Sequence, residues 1–231
     1  MKTILTDTEL LRIQQDLKVD GFSYLGPVLS TSEVATLRDA MERKWSDPEI
    51  RADEAGDHIR RNSMMRMFEY DRAFRDLIDR EPFPTIAESV LGEDCHLMSQ
   101  NALFSEPGIG GGWHLDDVCQ YPLPDGADGH STESPPPCLV LQIFTPLTNL
   151  DTEDKSPTQV VPGSHLAGRK PPPGDNPSFR GRGPISILAK AGDAYLFNNQ
   201  TWHRGAPNQT NSPRLLAGAT YSRRIIAQRF Y

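Results

Sequence analysis

Two textures of apolar spacing divide the chain. Up to about residue 94 the apolar positions recur at helical intervals: Leu10, Leu11, Ile13 and Leu17 form one group, and Val34, Leu37 and Met41 another. Such spacing places side chains on one face of a helix. A start signal precedes each group. Thr6-x-x-Glu9 and Ser30-x-x-Glu33 have the form in which a hydroxyl and a carboxylate three residues on each satisfy a backbone donor at a helix start. Gly21 and Gly26-Pro27 punctuate between the two helices, and Pro82-Phe83-Pro84 leads into a short helix over Thr85–Leu91.

From Cys95 onward the pattern predicts strands and loops. Cys138 to Leu147 is an apolar run suited to a buried strand, and Ile185–Leu188, Ala194–Phe197 and Leu215–Tyr221 are shorter runs bounded by turn residues. Helices followed by several short strands predict an α+β fold with a mainly β core, a sandwich or barrel with N-terminal helices packed against it. No repeat or internal boundary interrupts the 231 residues. They are read as a single domain, mainly helical over 1–94 and a strand core with Pro/Gly-rich loops over 95–231.

Composition adds two points. The chain is 37% hydrophobic and 24% charged, ordinary for a soluble folded protein. Of its 38 prolines and glycines, 24 fall in two windows, 107–137 and 157–184. These predict two long loop regions, and Tyr121–Pro137 and Gly168–Pro184 are expected to rim or cover a functional pocket. The net charge of −7 argues against a nucleic-acid or anionic-membrane partner. Charge is unevenly placed, however: −15 before Gly168 and +8 from there on. Either the two parts pack together, or the C-terminal part surrounds an anionic small molecule. Three cysteines without a pairing pattern, no apolar leader and no membrane-length apolar run suggest a reducing, cytoplasmic setting.

Chemistry concentrates in few residues. His114 and Asp116 stand at i and i+2, which on a strand point the same way. The neighbouring Asp117 would turn away. His203 lies 89 residues further on. Two histidines and one carboxylate make a facial triad that leaves positions open on non-haem Fe(II). Arg214, eleven residues after His203, offers a permanently charged fork for the far end of a dicarboxylate.

In this context His114-x-Asp116, Val161-Pro-Gly-Ser-His165, Gly192-Asp193-Ala-Tyr-Leu-Phe197 and Trp202-His203-Arg-Gly-Ala-Pro followed by Arg214 resemble the phytanoyl-CoA dioxygenase family of Fe(II)/2-oxoglutarate oxygenases. The resemblance runs from about Asn101 to Tyr221. It implies a double-stranded β-helix (a cupin-like jelly roll), with His114, Asp116 and His203 as iron ligands and Arg214 bridging the C5 carboxylate of 2-oxoglutarate. Asn101, Thr158, Gln142 and Phe144 match positions of further cosubstrate contact. The implied reaction uses O2 to hydroxylate a C–H bond of a small molecule, with succinate and CO2 as coproducts. Desaturation, cyclisation and epimerisation share that chemistry, as in secondary metabolism. Halogenation is disfavoured because Asp116 occupies the position a halide would need. The stretch Pro122–Pro137 is longer than the family pattern, and the chain is short for an added acyl-CoA-binding region.

Other candidates carry less context. Arg61 and Met65, in a segment mixing arginines with methionines, and Trp202, beside a proposed ligand, are substrate-contact candidates, alternatives to solvated or packing roles. Arg180 and Arg182 carry the same two readings. His165 is expected to close its turn near the metal, while His58, His96 and His130 have surface or packing roles by default. A different class of function, a non-catalytic cupin-like barrel binding a metal such as Zn(II), would use the same triad but has no need of Arg214.

Overall fold

The computed structural model describes residues 4–52, 59–60 and 62–227, and for residues 51, 52, 59 and 60 the backbone alone. The N-terminal part contains α1 (Asp7–Val19), β1 (Phe22–Pro27), α2 (Thr31–Ser46), α3 (Pro48–Ala52), β2 (Ile59–Arg60), β3 (Ser63–Met65), α4 (Met67–Tyr70), α5 (Arg72–Ile78) and α6 (Phe83–Leu91). The rest contributes β4 (His96–Ser99), β5 (Asn101–Ser105), β6 (Val140–Pro146), β7 (Thr158–Val160), β8 (Ile185–Ile187), β9 (Asp193–Asn198), β10 (His203–Gly205) and β11 (Arg214–Ser222). No described helix is long and apolar enough to cross a membrane.

Both capping boxes form. Thr6 and Ser30 each accept from the backbone N–H three residues on, while Glu9 and Glu33 return a carboxylate to the cap backbone. Besides its helices, the 1–94 part holds the short strands β2 and β3 and, at Phe22–Pro27, an edge strand of the main sheet, antiparallel to β9 with Phe22 opposite Phe197. Six residues that follow Gly21 and include Gly26 carry too little periodicity to announce a strand whose partner lies 175 residues away.

The described strands form an eight-stranded sheet ordered β1-β9-β6-β11-β5-β3-β2, with β4 also on β11, and a three-stranded sheet ordered β10-β7-β8. They are the two walls of a jelly roll. Alternation sorts the central strands of the large sheet, which are buried throughout. Leu141, Ile143, Leu196, Leu215, Ala217 and Ala219 face a helix-covered core containing Ile13, Leu37, Met41, Phe74 and Ile86. Phe144, Tyr195, Phe197 and Leu216 face the small sheet, where they meet Leu150, Val160 and Ile187. Burial on both faces explains why β6 reads as a continuous apolar run. The helices thus press the large sheet against the small one, and the functional cavity opens between them.

Candidate metal centre and its cavity

His114 and His203 form an isolated antiparallel bridge, exchanging backbone hydrogen bonds of 3.0 and 2.9 Å. This pairing, rather than a regular strand, aims His114, Asp116 and His203 at one point. Past it the chain bends, and Asp117 takes a left-handed backbone with φ of 61°. One ligand-type atom from each of the three lies within 4.8 Å of the others, an arrangement that could hold a metal ion. Asp116 is 3.5 Å from Nε2 of each histidine.

The histidine tautomers are set from behind. Nδ1 of His114 donates to the Gly112 carbonyl at 2.8 Å, and Nδ1 of His203 to the Thr201 carbonyl at 2.8 Å. Each Nε2 is left with its lone pair facing the shared point, the form an imidazole ligand needs. Burial pushes the His203 imidazole down and keeps it neutral. Burial works against the Asp116 anion, but His203, His114 and the Gln142 amide outweigh it and hold the carboxyl below its usual range. At His114 burial would lower the value, yet the Asp116 carboxylate raises it overall. A carboxylate and two imidazoles with free Nε2 atoms form a fitting donor set for Fe(II).

The three residues line a cavity of about 430 Å³ between the sheets. Arg214 lines it too, at 3% exposure, with its Nη2 donating to Thr158 Oγ1 at 2.9 Å. Thr158 Oγ1 in turn lies 2.7 Å from the Tyr195 hydroxyl. Burial opposes the Arg214 cation and raises the Tyr195 phenol. Nε of Arg214 and Oδ1 of Asn101 are buried without a hydrogen-bond partner. Both residues line the cavity, and buried polar atoms without partners in a folded chain are uncommon.

β11 runs along the floor. Arg214, Leu216 and Thr220 share its inner face, so the cavity extends over roughly 20 Å at the rise of a strand. Phe144, opposite Gly218, lies between the two ends. Gln142, opposite Thr220, donates to the Asp116 carboxylate. Beyond it the walls are Met65, Met98, Ser99, Val140 and Asn199.

Of the positions read from the sequence, Asn101, Gln142, Phe144, Thr158, Arg214 and Met65 all line this cavity. Arg61 lies outside the described residues. Trp202 does not meet the substrate space: it is 1% exposed, donates to the Arg169 carbonyl and packs with Leu115, Val161, Leu166 and Phe179 behind the triad. His165 is not beside the metal point either. Its Nε2 faces the Lys18 carbonyl, and its ring occupies the space a side chain at Gly21 would need. Nor do Tyr121–Pro137 and Gly168–Pro184 rim the cavity, for none of its lining residues comes from them. They bind each other, through Leu123 N–H to the Gly168 carbonyl, Arg169 to the Ala127 carbonyl and Arg180 to the His130 carbonyl. Together they brace the triad from the rear. The window's first glycines do reach the cavity: Gly110 and Gly111 line it, with Gly111 bonded to Gly205. Tyr195 is visible in the sequence only as part of the Gly192–Phe197 motif. Asn199 and Gln200 carry no assigned role there, and their only signal is a run of polar residues, Asn198-Asn-Gln-Thr201, just before His203.

The sequence matches the model of the phytanoyl-CoA dioxygenase (PhyH) family over residues 17–216. The chain belongs to the phytanoyl-CoA dioxygenase family. As a member it is an Fe(II)/2-oxoglutarate-dependent oxygenase. Among curated relatives, the ectoine dioxygenase of Streptomyces coelicolor is 26% identical over 87% of this chain and 73% of that protein. Among solved structures, EctD from S. alaskensis with 2-oxoglutarate and 5-hydroxyectoine superposes with a TM-score of 0.73 at 19% identity, covering 96% of this chain and 79% of that one. The epimerase SnoN, in complex with Fe3+, alpha ketoglutarate and nogalamycin RO, gives 0.71 at 20% identity, covering 94% and 85%. These likenesses show the jelly-roll fold shared by this PhyH-family chain.

Proposed function

We propose that this oxygenase hydroxylates a C–H bond of a small molecule, with His114, Asp116 and His203 holding Fe(II). In this reading Arg214 and Thr158 receive the C5 carboxylate of 2-oxoglutarate, Asn101 and Phe144 complete that half of the cavity, and Gln142 orients Asp116. The observation that carries it is the placement of a fixed triad and a buried, partly unsatisfied guanidinium in one cavity. A non-catalytic barrel has no use for that guanidinium. Bound Fe(II) and 2-oxoglutarate supply O2 activation, releasing succinate and CO2 and delivering one oxygen atom to the substrate. The protein positions the partners. Arg214 sets the cosubstrate's direction, and the Met65–Thr220 end holds the substrate over the open side of the triad.

The described substrate end offers thioether, hydroxyl and amide groups. Arg204 also lines the cavity, but its guanidinium is engaged by Gln159, Asp175 and the Trp113 ring. Free Cys95, Cys119 and Cys138 support a reducing cytoplasm as its setting. Epimerisation is the second reading, favoured by the likeness to SnoN.

Anaerobic addition of Fe(II) and 2-oxoglutarate tests the site. A weak visible charge-transfer band is expected, lost in His114→Ala and Arg214→Ala. No band, together with unaltered variants, overturns the reading. Screening neutral and acidic compounds for stimulated succinate release identifies the substrate. A gain of 16 mass units marks hydroxylation, and an unchanged mass with altered stereochemistry marks epimerisation.

A further inference from the structure

Asp116 is the least supported member of the triad by secondary structure, since the chain leaves its single bridge at His114 and turns through a left-handed Asp117. Gln142 holds the carboxylate tip, but the backbone of the bend needs a support of its own. The structure assigns this task to a bracket of buried amides centred on Gln200, a positioning residue for the Asp116 ligand. The inference rests on the triad reading above and adds to it.

Gln200 is 6% exposed and its side chain reaches mainly to the 116–120 bend, with a further 3.4 Å contact to Asn199 Oδ1. Its Nε2 donates to the carbonyls of Val118 at 3.2 Å and Asp116 at 3.4 Å, and its Oε1 accepts from the Gln120 backbone N–H at 2.8 Å. The backbone N–H of Asp116 donates to the Asn199 carbonyl at 3.1 Å. Gln120 closes the ring from the other side, its Nε2 donating to Asn199 Oδ1 at 3.1 Å, and Asn199 is 0% exposed.

The turn carrying Gln200 also carries Thr201, whose carbonyl fixes the His203 tautomer. One four-residue turn, Asn198–Thr201, therefore orients two of the three ligands. It ties His203 through a backbone carbonyl and Asp116 through the side chain of Gln200. Gln200, with several partners, holds geometry well, because every displacement breaks more than one bond in a medium of low dielectric, while Gln120 Oε1 and Asn199 Nδ2 make no bond. Outer partners of this kind are worth about 10- to 100-fold in metal affinity.

The test is a double-mutant cycle on the full-length apoprotein with Co(II) alone as the probe, followed by its visible absorption. Gln200→Ala is expected to weaken Co(II) binding about 10- to 100-fold. It should do nothing further in an Asp116→Ala background, because it acts only through that carboxylate. Gln200→Glu, which keeps the shape and the acceptor but loses the donor, should weaken binding at least as much. Gln120→Ala removes the half-buried far side of the bracket and should show a smaller loss with the same dependence on Asp116. It carries the cycle alone if circular dichroism shows Gln200→Ala unfolded. Wild-type affinity in these variants, or a loss of equal size with and without Asp116, overturns the bracket while leaving the triad intact. Absence of Co(II) binding in the wild type overturns the triad assignment and the bracket with it.

Discussion

Gly218 lies directly against the Phe144 ring across the β6–β11 pairing, so close that a Cβ at 218 would overlap the ring edge. The glycine lets the phenyl edge approach the inner face of β11, where the ring lines the middle of the cavity between Arg214 and Thr220. Gly218→Ala is therefore expected to tip Phe144 into the cosubstrate space. The affinity for 2-oxoglutarate should fall about tenfold, and overpacking should cost about 1–3 kcal/mol of stability. Anaerobic titration of the visible band and a thermal melt measure the two effects.

Arg214 cannot be replaced by another cation without loss. Its guanidinium is buried and bonded to Thr158. Arg214→Ala should weaken 2-oxoglutarate binding about 100-fold or more, as expected for a buried charged pair losing one partner. Arg214→Lys should recover part of this, since an ammonium cannot reproduce the fork. Thr158→Val should cost only a few-fold. A lysine variant equal to the wild type would show that the fork is not used.

The two Pro/Gly-rich loops brace the triad from behind, which reverses the effect expected had they covered the cavity. Replacing residues 124–134 by a short glycine–serine link removes the contacts to Arg169 and Arg180. Co(II) affinity should drop about tenfold and the melting temperature by several degrees. A shortened loop that binds metal normally but loses only substrate-stimulated turnover would restore the original view.

His165 gives the fold an acid limit. Burial between α1 and the 164–166 turn holds its imidazole neutral, down at about 4. The unfolded chain, whose histidine titrates near 6.5, binds the proton first. Stability is therefore complete above pH 6.5 and declines as the pH falls towards 4, by about 3 kcal/mol from this residue. Apoprotein melting curves between pH 7 and 4 should fall more steeply for the wild type than for His165→Gln. Parallel curves would count against this account.

What the sequence made legible was local or carried by spacing. The capping boxes at Thr6 and Ser30 and the buried strand from Val140 need no distant partner to be recognised. His114, Asp116, His203 and Arg214 stand out through residue type and order. Phe22–Pro27 was illegible because its strand state depends on β9, far along the chain. Trp202 and the two loops show the converse limit. Aromatic character and Pro/Gly content reveal that a residue is large or that a segment is irregular, but not which side of the site it faces. The amide bracket escaped notice because Asn and Gln are ordinary surface residues until a turn buries them together.

The single strand β11 carries Arg214 near one end and Thr220 near the other on the same face. The spacing between the two ends of the cavity is thus a length built into hydrogen-bonded sheet, which no loop can stretch. Adaptation to a new substrate would have to come from the side walls, at Met65, Met98 and Ser99, while the strand acts as a fixed ruler. One half of the cavity is fixed in length by the strand, and the other is free to be retuned.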